Sequence, residues 1–299
     1  MVPDATFTSY YGKPVISSPV WKAPNIAGYL FLGGLAGASS LVGAGAQLTG
    51  RHSLERVAKT GALAASVLSV AALVTDLGRP ARFANMLRTF KVTSPMSVGS
   101  WLLGGYVPAA AAACVTALTG RLPRTGAAAT AGAAILGPAV ASYTAALISD
   151  TAVPAWHAGY REMPFVFAGS AATAAGGLGM LGAPGESGPA RNLALLGVSA
   201  ELAAARLMER RLGMVAEPYQ SGKGRYLKAG QVLSALGVLG TVASGFAGGR
   251  GRIAARLAGS AFVGASITTR WGIFHAGLAS ADDPKYTIIP QRQRIGSAR

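Results

Sequence analysis

Charged residues are scarce in this sequence. Asp, Glu, Lys and Arg make up 13% of its 299 positions, while apolar residues make up 51%. A soluble protein usually has roughly a quarter of its residues charged. The stretch from Ala23 to Gly50 has no charged residue at all, and about 20 apolar residues are enough to cross the hydrocarbon core of a membrane. A soluble globular protein is excluded, because so many apolar helices would leave too few residues for a surface.

Cysteine and histidine are nearly absent as well. The single cysteine, Cys114, excludes a disulfide within the chain and a cysteine-bound iron–sulfur cluster or zinc ion. The three histidines, His52, His157 and His275, are each expected in a turn or at a helix end. Haem held by two histidines requires imidazoles that face each other from within the helices. We therefore predict no haem and no metal in this chain.

The excess of positive charge does not indicate nucleic-acid binding. The net charge is +16, but Lys and Arg collect at the ends of the apolar stretches, where they meet lipid headgroups and partner surfaces. No DNA- or RNA-binding motif accompanies them. We expect membrane lipid and protein partners, and no nucleic acid.

The apolar stretches predict an all-α, polytopic integral membrane protein with about eight transmembrane helices. The predicted spans are roughly residues 25–49, 57–77, 97–119, 126–149, 164–182, 190–209, 228–247 and 253–273. The expected location is the inner (cytoplasmic) membrane. In the first span Gly33 and Gly37 are four residues apart, a spacing of small residues that favours close helix packing in lipid.

An even number of spans places both termini on one side of the membrane. This side, called side A, also has the long loops 78–96, 150–163 and 210–227, whereas the opposite side, side B, has short turns. Side A contains twice as many Lys and Arg residues as side B, which favours a cytoplasmic side A by the positive-inside rule.

Polar and aromatic residues that could carry chemistry gather at the side A ends of the spans. They are Asn25, Tyr29, Asp76, Tyr143, Trp156 and His157. Simpler roles are open for several of them: Asp76 could pair with Arg79 at a helix end, and Tyr143 and Trp156 could be interfacial aromatics. Glu201 differs, because it lies inside the sixth span. Acidic residues within a membrane are costly and usually functional, so Glu201 and Asp76 are candidates for proton transfer.

Several of these residues belong to segments that resemble a known family. The segments are YLFLGGLA (29–36), DLGRP (76–80), SPMS (94–97), GSW (99–101), VPAWH (153–157) and PFVF (164–167). In this combination they are similar to the NrfD, or polysulfide-reductase membrane-subunit, family. The resemblance runs through roughly the first 180 residues, and Gly78, Arg79 and Pro80 form its central structural motif.

The resemblance implies two stacked four-helix bundles without haem. The implied divisions are an N-terminal extramembrane segment, a first bundle, an interfacial connector, a second bundle and a C-terminal tail, at 1–24, 25–149, 150–163, 164–279 and 280–299. Family members exchange electrons with a quinone, such as menaquinone or ubiquinone. They anchor a ferredoxin-like iron–sulfur subunit and usually a molybdopterin-containing catalytic subunit. The implied quinone-binding positions are Asn25, Asp76 and Tyr143, with Tyr29, Trp156 and His157 as neighbours.

The leading functional hypothesis is therefore a quinone-binding membrane subunit of an oxidoreductase complex, not catalytic by itself. In this family the partner usually docks outside the cytoplasmic membrane, whereas the charge count places side A inside. The orientation stays open. Two other functions remain: a secondary transporter that uses Asp76 and Glu201, and a purely structural anchor. Transporters often contain broken helices and repeated halves. The sequence has no mid-span Pro–Gly break in corresponding positions of its two halves and no convincing internal repeat.

Overall fold

Every regular element that the structure describes is a helix. The computed structural model describes residues 15–77, 79, 85–246 and 251–297. Most helices begin with proline in the first turn, where its fixed φ suits the helix and its missing N–H removes no hydrogen bond. These prolines are Pro24, Pro95, Pro123, Pro154, Pro164, Pro189 and Pro218.

Within those ranges, eight helices have 20 or more residues. They are Ala23–Leu48 (α1), His52–Asp76 (α2), Pro95–Thr119 (α3), Pro123–Ser149 (α4), Met163–Gly182 (α6), Gly188–Leu212 (α7), Tyr226–Phe246 (α9) and Gly251–Asp282 (α10). In the same ranges, three shorter α-helices lie between or after them. They are Pro154–Ala158 (α5), Glu217–Gln220 (α8) and Lys285–Ser297 (α11).

Six of the long helices are long and apolar enough to cross a membrane. They are α1, α2, α3, α4, α6 and α9. The span that contains α9 is Gly222–Gly245. The two others, α7 and α10, carry more charge, including Glu201 in α7 and Arg270 in α10. The predicted class of multi-pass helical membrane protein is thus supported, while the count of eight crossings stays a prediction.

Helices α1 and α6 lie at the centre of the molecule. Helix α1 packs against α2, α4, α6 and α10, and α6 also packs against α7 and α10. The backbones of α1 and α4 approach closely at Gly37 and Gly137, where a Cβ atom on either residue would overlap the carbonyl oxygen of the other. Gly37, one of the two glycines predicted to favour close packing, is one partner of this contact. This close contact determines which side chains of α1 and α4 face each other.

Contacts between distant segments assemble each end of the molecule. On side A, the Ser18 hydroxyl donates a hydrogen bond to Asp282 at 2.6 Å, and Lys285 forms an ion pair with Glu217 at 3.0 Å. On side B, the Glu186 carboxylate accepts hydrogen bonds from the backbone N–H groups at the start of α2, at 2.9 and 3.1 Å. These hydrogen bonds hold the pKa of Glu186 below its usual range. The hydrogen bond between Ser18 and Asp282 places the N-terminal segment beside the end of α10.

This arrangement predicts the sidedness of single cysteines. Cys114 is the single cysteine of the sequence, so a Cys114→Ser background leaves only the introduced thiol for labelling by a membrane-impermeant maleimide. We expect Ser17→Cys and Gln291→Cys to react from the same side of the membrane and Gly185→Cys from the opposite side. Opposite sidedness of Ser17→Cys and Gln291→Cys would mean an odd number of crossings.

Candidate functional site

A pair of buried tyrosines joins α1 to α4 near side A. The hydroxyl groups of Tyr29 and Tyr143 are in hydrogen-bonding contact, and either can donate. Their rings meet edge to face with centroids 6.5 Å apart. Gly99 of α3 leaves room for the Tyr143 ring, because a Cβ atom on residue 99 would overlap that ring. Two of the predicted residues are thus brought together, with their polar groups facing each other inside the protein.

Asp76 lies at the end of α2 and contacts the start of α1. Its Oδ1 atom accepts hydrogen bonds from Asn25 Nδ2 and from the backbone N–H of Lys22, each at 3.4 Å. The simpler role open to Asp76 is an ion pair with Arg79. Among the ion pairs of the described residues none includes Arg79, whose side chain is exposed. Asn25 and Asp76, two of the predicted site residues, thus contact each other and form one polar group.

Trp156 lies in the core, between the connector and α10. Its side chain is fully buried, and its indole N–H donates to the carbonyl oxygen of Ile273 at 2.8 Å. It stacks on Trp21 with ring centroids 5.8 Å apart. Because Trp21 directly precedes Lys22, residues 21 and 22 link Trp156 to the Asp76 group. The indole donor is already used, so Trp156 is suited to shape a neighbouring site by packing.

His157 lies on a different surface of the connector. Its Nδ1 atom is 3.1 Å from the Ser149 carbonyl oxygen, and its ring stacks on Tyr160. It lines a cavity of about 460 Å³ together with Val15 and Tyr286. The hydrogen bonds and ring contacts of His157 do not include Tyr29, Tyr143 or Asp76.

The connector is held firmly on side A. The Arg211 guanidinium at the end of α7 donates to both carboxylate oxygens of Glu162, at 2.6 and 2.5 Å. These hydrogen bonds hold the pKa of the Glu162 carboxyl below its usual range. The Tyr219 hydroxyl donates to the Ala155 carbonyl oxygen at 2.9 Å, and Ser280 accepts from the Ala155 N–H at 3.1 Å. The connector is thereby tied to α7, α8 and α10.

Glu201 is buried in a second polar group between α6, α7 and α10. Its Oε1 atom accepts a hydrogen bond from Thr269 Oγ1 at 2.7 Å, while its buried Oε2 atom has no protein partner among the described residues. Nearby lies Arg270, which sequence reasoning missed as a functional candidate. The Arg270 Nη2 atom donates to the Phe167 carbonyl oxygen at 2.6 Å, and its guanidinium carbon lies 3.6 Å from the centre of the Phe167 ring.

Arg270 directly follows Thr269, the residue that donates to Glu201, but Arg270 and Glu201 are not among the ion pairs within 4 Å in the described part of the chain. The Nε and Nη1 atoms of Arg270 are buried and have no protein partner there either. A Cβ atom added at Gly34 of α1 would lie 3.2 Å from Arg270 Nη2. The polar group of Glu201 and Arg270 thus extends to α1, the central helix of the molecule. The sequence signal for Arg270 was a single arginine inside an apolar stretch.

A third charged group, on side B, was also missed. Lys59 of α2 is 5% exposed and pairs with Glu55 at 2.7 Å, one helical turn away. Its ammonium also donates to Gln47 Oε1 of α1 at 2.7 Å. The spacing of Glu55 and Lys59 by four residues was the available signal. This pairing satisfies a lysine that faces the interior of the helix packing.

Two parts of the sequence predictions have no direct structural counterpart. Gly78 and Pro80 of the central motif lie outside the described residues, so only Arg79 of that motif is seen. Within the described ranges, no group of three or more His, Cys, Asp or Glu side chains is arranged to hold a metal ion. The prediction of no haem and no metal stays a prediction.

Comparison with known proteins assigns the family. The model of the family described as "Polysulphide reductase, NrfD" matches residues 14–197, which is more than half of the chain and agrees with the extent of the resemblance in the sequence. No curated protein matches the chain. The matched part includes the tyrosine pair and the Asp76 group, but neither Glu201 nor Arg270. This multi-pass membrane protein belongs to the NrfD family of polysulfide reductase membrane subunits.

Proposed function

We propose that this chain is the quinone-reactive membrane subunit of an oxidoreductase complex, where it exchanges electrons between a quinone and an iron–sulfur partner and anchors the complex. Proteins of the NrfD family are membrane subunits of polysulfide- and molybdopterin-type reductases and interact with quinones in general. The observation that carries the proposal is the contact between the Tyr29 and Tyr143 hydroxyls, close to the side A ends of α1 and α4. The Asp76 group lies at the same end of α1.

The residues present suit a quinone headgroup. A bound quinone supplies two-electron, two-proton chemistry and presents two carbonyl oxygens as hydrogen-bond acceptors. Only one of the two phenolic protons of Tyr29 and Tyr143 is needed for their mutual hydrogen bond, so the other can be donated to a carbonyl oxygen. The Asn25 amide offers a further donor, because one of its two N–H bonds reaches Asp76. These donors would orient the headgroup and polarise its carbonyl groups.

Asp76 is suited to exchange protons with water. It is half-buried at the end of α2 and accepts hydrogen bonds from Lys22 and Asn25. A carboxylate at the membrane boundary can receive a proton from side A and pass it inward through hydrogen-bonded neighbours. We assign Asp76 to proton transfer and Trp156 to the packing that supports the site. His157 lines a separate cavity, and we propose only that it lies near the site through its neighbour Trp156.

Glu201 is the second candidate for proton transfer. Its Oε2 atom has no protein partner in the described part of the chain, so it is available to a proton or to a water molecule. Arg270 would keep Glu201 in place electrostatically and connect it to α1, the helix that contains Tyr29. Ionisable groups inside a membrane protein commonly serve such routes.

We also propose eight membrane crossings in two four-helix bundles, α1 to α4 and then α6, α7, α9 and α10. Contacts of α1 with α2 and α4, and of α10 with α6 and α9, support this grouping. The proposed divisions remain 1–24, 25–149, 150–163, 164–279 and 280–299. Buried polar residues in α7 and α10 would then be shielded from lipid by the neighbouring helices.

We expect the iron–sulfur partner to dock on side A, because electron transfer requires its cluster near the quinone. A photo-crosslinking amino acid at Tyr160, whose side chain is 51% exposed, should capture the partner. The matched control is the same amino acid at Thr125, which is exposed in the first turn of α4 on side B. Capture of the iron–sulfur subunit at Thr125 and not at Tyr160 would contradict docking on side A.

Purification of the tagged chain from its native membrane tests the function itself. We expect it to be isolated with an iron–sulfur subunit and a molybdopterin-containing subunit, in a complex that turns over with added quinone. A chain that is isolated alone would favour the secondary transporter. A complex that assembles but never reacts with quinone would favour a structural anchor.

A further inference from the structure

A basic cavity on side B has no role in the proposed quinone chemistry. The cavity has a volume of about 410 Å³, and its walls come from the start of α2, the turn between α6 and α7, and the first turns of α10. Its lining includes Ser53, Glu186, Arg252 and Arg256. Helices α2 and α6 are both candidate membrane spans, so a cavity between their side B ends would lie at the level of the lipid headgroups.

The lining of this cavity has a net positive charge, because it contains two arginines and one glutamate. Arg252 and Arg256 are four residues apart and therefore point from the same face of α10. Neither arginine has an ion pair among the described residues. The carboxylate of Glu186 is already engaged by the N–H groups of Ser53 and Leu54. Two guanidinium groups thus remain to bind an anion, and arginine binds phosphate oxygens in a bidentate geometry.

Apolar side chains extend the cavity toward the lipid. Ile253 and Leu257 each follow one of the two arginines in α10, and their side chains are 59% and 67% exposed. On a helix they form the strip next to the arginines. An anion held by Arg252 and Arg256 would therefore have an apolar surface beside it. This combination suits a molecule with a phosphate group and hydrocarbon chains.

We propose that this cavity binds the headgroup of an anionic phospholipid. The phosphate lies against Arg252 and Arg256, and the acyl chains follow Ile253 and Leu257 along α10. Basic pockets between transmembrane helices bind such headgroups in other membrane proteins. A bound lipid would fill the gap between α2, α6 and α10, the helices from both halves of the chain that meet there.

Native mass spectrometry of the complex, purified in mild detergent and supplied with phosphatidylglycerol, cardiolipin or phosphatidylethanolamine, tests this proposal. We expect Arg252→Gln/Arg256→Gln to reduce retention of the anionic lipids by roughly 30-fold, since each of the two basic residues near a membrane surface contributes about 1 kcal/mol and about 1.4 kcal/mol is a factor of ten. Retention of phosphatidylethanolamine should not change. The matched control is Arg121→Gln/Arg124→Gln, two exposed arginines of side B that do not line the cavity, and it should behave as the unmodified protein.

Two results would overturn the proposal. Equal loss of anionic lipid in both double variants would show a general effect of surface charge. Displacement of bound lipid by millimolar inorganic phosphate would show that the cavity binds free phosphate. Arg252→Lys/Arg256→Lys keeps the charge but removes the planar guanidinium groups, so we expect intermediate retention. These outcomes are independent of quinone turnover.

Discussion

Tyr143→Phe and Asp76→Asn should each lower quinone-linked turnover by roughly tenfold or more, within the range for lost acid–base assistance. Tyr143→Phe removes a hydroxyl that contacts Tyr29 and that would donate to a quinone carbonyl. Asp76→Asn keeps the shape of the side chain but removes the group that exchanges protons. Both variants should still assemble with the partner subunits, because neither changes the volume of the side chain appreciably.

Two measurements separate this loss from a general defect. Activity with an artificial electron acceptor that reacts with the soluble subunits should be unchanged in both variants. Tyr106→Phe is the matched control, since Tyr106 is a fully buried tyrosine of α3 whose hydroxyl contacts Ser40 and donates to Ala36 O. We expect it to cost about 1 kcal/mol of stability and to leave quinone turnover largely intact. If Tyr143→Phe and Asp76→Asn assemble and keep full quinone activity, the site lies elsewhere.

Arg270→Met should severely destabilise the protein, whereas the double variant Arg270→Met/Glu201→Met should recover much of the loss. Arg270 and Glu201 are both buried, and removing one of two neighbouring buried charges leaves the other uncompensated, at a cost of about 3–5 kcal/mol. Removing both groups also removes that cost, because apolar residues of similar volume can replace a buried pair without loss. Thr269 keeps a local acceptor in either case, since serine and threonine hydroxyls inside helices commonly donate to the carbonyl four residues earlier.

Thermal unfolding of the detergent-solubilised complex, followed by size-exclusion chromatography, measures this effect. Arg206→Met is the control, because Arg206 is an exposed residue of α7, the helix that contains Glu201, and its replacement should change stability little. A double variant no more stable than Arg270→Met would contradict the coupling of the two groups. Glu201→Gln tests the chemistry separately: we expect normal assembly with slower quinone-linked turnover, and unchanged turnover would remove Glu201 from the proton route.

The positions of the helices could be predicted from the sequence because their signals are local. Charge-free apolar stretches, proline in the first turn and glycine or charged residues in the turns all act within a few residues of the helix they define. The family motifs are local as well, and they are sufficient to select Asn25, Asp76 and Tyr143 as candidates. Asn25 and Asp76 prove to contact each other, and Tyr143 contacts Tyr29.

Only the tertiary structure decided which faces of the helices meet. Tyr29 and Tyr143 are 114 residues apart in the chain, and Trp156 and Ile273 are 117 apart. Arg270 gains its partner Phe167 from another helix, and its guanidinium lies against Gly34 of α1. Apolar composition makes a helix suitable for a membrane but does not choose its neighbours. Lipid solvates every apolar helix face equally well, so hydrophobicity alone does not favour one neighbour over another. The neighbour is selected by close packing between small residues far apart in the chain, such as Gly37 and Gly137.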